Sequence, residues 1–144
     1  MPPRQMWLFR FGCWAAIFTA MVHLAGSLAG GFTAENETER QLIDLATTYH
    51  FSMPGGASRS FMDLVQGFSL GFSLFFLTLG ATGLVVSRRG GSNALLMYGV
   101  ARVAAISAAT MLVISLVFFF IIPTMFIAAV TTCFAVAAVK APGI

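Results

Sequence analysis

The stretch LVQGFSLGFSLFFLTLGATGLVVS, residues 64–87, runs for 24 residues without a charge and is followed at once by Arg88-Arg89-Gly90-Gly91-Ser92-Asn93. A bilayer core about 30 Å thick needs roughly 20 apolar helical residues at about 1.5 Å each. An uncharged run of this length closed by two arginines is a membrane span, and the pattern recurs on both sides of it. Residues 11–34 form a second run of 24 without Asp, Glu, Lys or Arg, and residues 93–139 hold 47 residues with one charge, Arg102. The latter is long enough for two spans and a tight turn. Pro123 has no amide hydrogen and suits the first turn of a helix, which puts the turn around residues 119–122. The expectation is an all-α membrane protein, a single four-helix bundle over residues 1–144. Its spans are about 7–31, 61–87, 93–119 and 123–140, and its outer loop is 32–60.

Composition agrees. Hydrophobic residues make up 58% of the 144 and charged residues 9%, against about 25% charged in soluble domains; the mean hydropathy is +0.89. The net charge of +3 is eight cations against five carboxylates, and the cations are scattered, mostly at segment ends. No basic patch interleaves with aromatics, which argues against a nucleic-acid partner. Cys13 and Cys133 sit in apolar runs, outside any CxxC or Cys/His ligand spacing. They are read as small hydrophobes, and no metal site is expected. The apolar run ending at Ser27-Leu28-Ala29-Gly30 is longer than the roughly 7–15 residues of a cleaved signal segment, so it is kept as span one.

Arg4 and Arg10 precede span one, Arg88 and Arg89 separate spans two and three, and Lys140 follows span four. By the positive-inside rule both termini are cytoplasmic. All five acidic residues, Glu35, Glu37, Glu39, Asp44 and Asp63, fall in or beside the outer loop. Within that loop Leu42, Leu45, Ala46 and Tyr49 recur at helical spacing. They predict a short amphipathic helix on the bundle mouth or the outer headgroups, with Thr38 and Gln41 as a capping box. His50 to Ser58, around Pro54-Gly55-Gly56, reads as irregular loop. Asn36-Glu37-Thr38 matches a glycosylation sequon, a pattern that also arises by chance.

At 100° per residue, Gly12, Ala16, Thr19, His23, Gly26, Ser27 and Gly30 share one face of span one, which is expected to point into the bundle. Span two carries Asp63, Gln66, Ser69, Ser73 and Gly80 on one face and a Gly67/Gly71 ridge on the opposite one, which implies neighbours on both sides. Span three aligns Ala101, Ala104, Ala105 and Ala108, with Ser107 at the edge and Arg102 directed elsewhere.

His23 is an ionisable group at membrane depth, where such residues are uncommon and often functional. Its plain reading is an interhelical hydrogen bond to Gln66, Ser69 or Ser107, worth about 0.5–2 kcal/mol. Its sharper reading is proton handling or ligand contact in an outer-leaflet pocket formed by His23, Ser27, Asp63, Gln66, Ser69 and Ser107, placed at similar depth by helix rise. Haem ligation would want a second helical histidine, and His50 falls in a loop. Asp63 suits a helix N-terminus and is four residues from Arg59, so capping with an ion pair is its plain role and a polar entrance its functional one. Arg102, deep in span three, snorkels to the inner headgroups or contacts an anionic lipid or a partner subunit.

The segment Arg59-Ser60-Phe61-Met62-Asp63-Leu64-Val65-Gln66-Gly67-Phe68-Ser69 opens the second span. It resembles an uncharacterised family of small four-span bacterial integral membrane proteins, in which Arg-Ser-aromatic-x-Asp-x-x-x-Gly-Phe starts the second helix. The four-span layout and the histidine in span one extend the likeness over the chain. A weaker likeness, on layout alone, is to DoxX-like four-helix proteins. The resemblance implies fold and a bacterial cytoplasmic membrane, and brings no activity or cofactor.

Two functions follow from these residues. The first is an accessory subunit or a binder of a lipophilic ligand, with membrane lipids, a membrane protein partner or a second copy as partners. The second is a small membrane enzyme acting on a lipid, quinone or sterol-like substrate through His23 and Asp63. A transporter is disfavoured by the lack of an internal repeat.

Overall fold

A computed structural model describes residues 1–29 and 33–139. The elements are α1 (Pro3–Ala29), α2 (Glu37–Thr48), β1 (His50–Ser52), β2 (Ser58–Ser60), α3 (Phe61–Arg89), α4 (Ala94–Phe118) and α5 (Ile121–Ala138). Helices α1, α3, α4 and α5 are each long and apolar enough to cross a membrane. The chain is thus an all-α, four-helix membrane protein, as its hydropathy requires. Gly30, assigned to the His23 face, and Lys140, assigned to the end of span four, lie outside the described residues.

Local chemistry sets the helix ends. Pro3 occupies the first helical position of α1, where a missing amide costs nothing. The helix therefore starts ahead of residue 7, and Arg10 lies two turns inside it instead of preceding it. Ser60 and Asp63 form a reciprocal capping box at the start of α3: the Ser60 amide donates to Asp63 Oδ2 at 2.9 Å and the Asp63 amide to Ser60 Oγ at 3.1 Å. Asn93 caps α4 by accepting from the Leu96 amide at 3.0 Å. The α4–α5 turn falls at Phe119 and Phe120, with Pro123 in the first turn of α5 as expected.

The loop between α1 and α3 departs from expectation twice. Asn36, not Thr38, caps α2, accepting from the Glu39 amide at 2.9 Å while its own amide group donates to the Glu39 carboxylate at 2.9 Å. An asparagine directly before an acidic first turn outcompetes a threonine one residue inside it. His50–Ser52 and Ser58–Ser60 pair as an antiparallel hairpin, His50 opposite Ser60, where the sequence suggests irregular loop. The Pro54-Gly55-Gly56 signal marks the hairpin's own turn: Gly55 and Gly56 adopt φ of 88° and 80°, values that side chains resist. Three-residue strands are too short to show alternation. Helix α2 buries no residue, and Leu42 and Leu45 are exposed.

The four long helices pack as an arc in the order α3, α1, α5, α4. Helix α1 touches both α3 and α5, and α4 packs along α5, but α3 and α4 scarcely meet. Phe9, Cys13 and Ala16 of α1, Phe76 of α3, Ala101 and Ala108 of α4, and Val130 and Phe134 of α5 make up the dry core. The alanine face predicted for α4 is the one it buries.

Glycines decide how close the backbones come. A Cβ at Gly80 would lie 2.5 Å from the Cys13 carbonyl oxygen, and one at Gly12 would lie 3.0 Å from Cys133 Cβ. Gly26, Gly67 and Gly71 have no such neighbour within 4 Å. Among the described residues the Gly67/Gly71 ridge therefore has no helix packed against it. On α1 the expected inward face is buried from Gly12 to Thr19 and opens from His23 onward.

Candidate functional site

The end of the bundle that carries the N-terminus, the α3–α4 turn and the end of α5 is tied by polar side chains. Gln5 is its hub: its amide donates to the Val139 carbonyl at 2.6 Å and its carbonyl accepts from the Tyr98 hydroxyl at 2.8 Å. One side chain of α1 thereby links α4 to the end of α5. Arg10 donates through Nη2 to the Ser87 carbonyl at 3.1 Å and through Nε to Ser87 Oγ at 3.3 Å. A cation at the C-terminal turn of α3 satisfies carbonyls that the helix leaves unpaired. Gln5, Tyr98 and Ser87 do not stand out in the sequence, because single polar residues near span ends are common.

At the opposite end, no hydrogen bond among the described residues joins the expected pocket residues to one another. The His23 ring packs against Phe72, centroids 4.5 Å apart, and Phe72 meets Phe119 of the α4–α5 turn at 6.0 Å. This contact fixes the depth: Gln66 lies six residues, about 9 Å, nearer the start of α3 than the level of His23. His23 Nε2 is buried and accepts or donates no hydrogen bond among the described residues. Ser69 receives a backbone bond from Ser73 Oγ at 3.1 Å on its carbonyl. Ser27 and Ser107 are half-buried, while Gln66 and Asp63 are exposed. Ser107 falls twelve residues, about 18 Å of helix, before Phe119.

Asp63 is held by the capping box and makes no ion pair with Arg59, whose guanidinium donates instead to the Ser58 carbonyl at 2.8 Å. Both line a shallow depression of about 420 Å³ with Leu64, Gly67 and Phe68. His23, Gln66 and Ser69 do not line it.

A larger concavity than this depression lies where α3 and α4 fail to meet. It has a volume of about 780 Å³ and is walled by Gly71, Leu74, Phe75, Thr78, Leu79, Thr82 and Gly83 of α3, and by Leu96, Gly99, Val100, Val103 and Ala104 of α4, with Phe9 of α1 at its floor. Apart from Thr78 and Thr82 the lining is apolar. Gly71 and Gly99, one on each wall, have no atom within 4 Å of a would-be Cβ. Sequence reasoning missed this groove, although the Gly67/Gly71 ridge signalled a neighbour on that face of α3. Arg102 is exposed on α4 one turn beyond Gly99.

Among the described residues no group of three or more His, Cys, Asp or Glu could hold a metal ion. Cys13 and Cys133 are free thiols. Comparison of the chain with family models, curated proteins and solved structures finds no match.

Proposed function

We propose that this protein binds a lipophilic ligand within the bilayer, in the lateral groove between α3 and α4. The observation that carries this reading is the unfilled seam: three adjacent helix pairs of the arc are packed, and the fourth is an apolar cleft of about 780 Å³. That volume is within the range of about 300–1,000 Å³ usual for small-molecule sites, which are mostly apolar with a few polar groups. Thr78 and Thr82 are the polar groups here. An accessory role is compatible, since a bound lipophile could be presented to a membrane partner or a second copy.

The likeness of residues 59–69 to small four-span bacterial proteins supports a bacterial cytoplasmic membrane, and the grouping of arginines at one end supports cytoplasmic termini. A cysteine placed at Ser92, in a background lacking Cys13 and Cys133, should then escape an impermeant thiol reagent in intact cells, while one at Asn36 is labelled. The enzyme alternative through His23 and Asp63 has less support. Asp63 closes the capping box, and His23 packs on Phe72 nine residues, about 13 Å, further along α3.

The test is purification in mild detergent followed by mass spectrometry of co-purifying lipids. Gly71→Phe with Gly99→Phe fills the groove from both walls at positions with free space. Wild type should retain a lipophile that the double variant loses. Equal retention by both rejects the groove as the site.

A further inference from the structure

The groove has a direction, and its two ends differ in charge. Its α3 wall runs from Gly71 to Gly83, about 18 Å of helix, and Gly83 lies six residues, about 9 Å, from Arg89. Its α4 wall begins at Leu96, and Leu96 packs against the Gly90 backbone: a Cβ on Gly90 would stand 2.8 Å from Leu96 Cδ2. The apolar cleft therefore ends at the Arg88-Arg89-Gly90 turn. Arg88 and Arg89 are both exposed.

Arg102 adds a third cation on the α4 side. It sits 60° around the helix from Gly99, beyond the outer edge of the groove and 160° from Val100 and Ala104 on the same wall, and eight residues, about 12 Å, from Ala94. Side chains on a helix tilt toward its N-terminus. The N-terminus of α4 is at the Arg88-Arg89 end, so Arg102 leans toward that same end. A guanidinium at this depth is costly in hydrocarbon unless it reaches headgroups or a counter-charge. All five carboxylate side chains lie between Glu35 and Asp63, in the outer loop or the first turn of α3. None is at the arginine end to supply that charge.

We propose that the groove holds one anionic phospholipid from the leaflet on the arginine side. An acyl chain lies between α3 and α4, and the phosphate rests against Arg88, Arg89 and Arg102. The proposal builds on the groove reading above and adds the class of ligand and the residues that select it. Apolar walls leading to a basic rim match an amphiphile with a negative head.

The experiment uses the full chain in neutral detergent, titrated with phosphatidylglycerol and phosphatidylcholine of identical acyl chains and read by native mass spectrometry. Wild type should hold one phosphatidylglycerol at least about tenfold more tightly than phosphatidylcholine. With Arg88→Gln, Arg89→Gln and Arg102→Gln together, the two lipids should bind equally and at the weaker level. The triple Arg→Lys variant, which keeps the charges, should keep the preference and so separates charge from misfolding. Gly71→Phe with Gly99→Phe should lose both lipids.

Equal binding of both lipids by wild type, lost on filling the groove, overturns the anionic proposal and leaves the groove reading standing. Lipid binding that survives the filled groove overturns both. A preference that survives the glutamine variant refutes the arginine rim. A dimer in place of bound lipid, dissolved by filling the groove, would assign the cleft to a helix of a second copy instead.

Discussion

Helix α3 meets its two antiparallel neighbours in opposite ways. Toward α1 its glycine is consumed by contact: Gly80 abuts the Cys13 backbone and Ile17, with no room for a Cβ. Toward α4 its glycine faces nothing: Gly71 and its counterpart Gly99 have open space. In lipid, where no hydrophobic drive pulls helices together, association depends on van der Waals packing and interhelical hydrogen bonds. The first seam has the packing. Among the described residues the second has little packing and no interhelical hydrogen bond, and α4 is held in place from behind, through α5 and the Gln5 pin. Small residues in a span thus mean two different things here, a closed backbone approach in one seam and an accessible wall in the other.

The sharpest way to break this comparison is to place the same side chain in both seams. Gly80→Leu must displace a carbonyl oxygen that belongs to helix backbone and cannot rotate away, so it should lose about 3 kcal/mol or fail to fold. Gly71→Leu and Gly99→Leu should stay within about 0.5 kcal/mol of wild type. Thermal unfolding in detergent compares them directly, and equal losses would mean that the open seam closes in solution.

A smaller effect is expected from the pin that holds α4. Gln5→Leu removes hydrogen bonds to the Val139 carbonyl and the Tyr98 hydroxyl. The loss should be about 1–2 kcal/mol at the rim of the bundle. Since α4 leans on α5 more than on α3, Gln5→Leu should also raise hydrogen exchange in the first turns of α4 before those of α3. Uniform exchange through both helices would show that the pin is not what fixes α4.

The spans were legible because a bilayer imposes one dominant constraint, length of apolar helix, and residues 64–87 satisfy it on sight. Faces were legible where packing is uniform: Gly12, Ala16 and Thr19 are buried, as are Ala101, Ala104 and Ala108. Which face meets which helix was not legible, since Gly67 and Gly71 carry the same small-residue signature as Gly80. Depth failed for a related reason. The sequence aligns helices by their ends, but α3 starts beyond the α4–α5 turn, and the His23–Phe72 contact lies well down α3. The hairpin was hidden by its brevity, and the Gln5, Arg10 and Ser87 ties by the ordinariness of their residues. The groove could not be read at all, because an unfilled space between two walls is a property of neither sequence segment alone.

His23 tests the boundary between the closed and open parts of α1, with the smallest expected effect on stability. Among the described residues its Nε2 is buried without a partner, and the ring packs on Phe72. A buried polar atom left unsatisfied costs free energy that an apolar group of similar size avoids. His23→Leu should therefore leave stability unchanged or raise it by about 0–1 kcal/mol in detergent. A structural hydrogen bond to Gln66, Ser69 or Ser107 predicts the opposite sign, a loss of about 0.5–2 kcal/mol. His23→Gln sharpens the result, since it keeps a donor and an acceptor but gives up most of the aromatic contact. If His23→Leu destabilises the bundle while His23→Gln restores it, then Nε2 has a protein partner under working conditions, and the upper part of α1 is as closed as the lower.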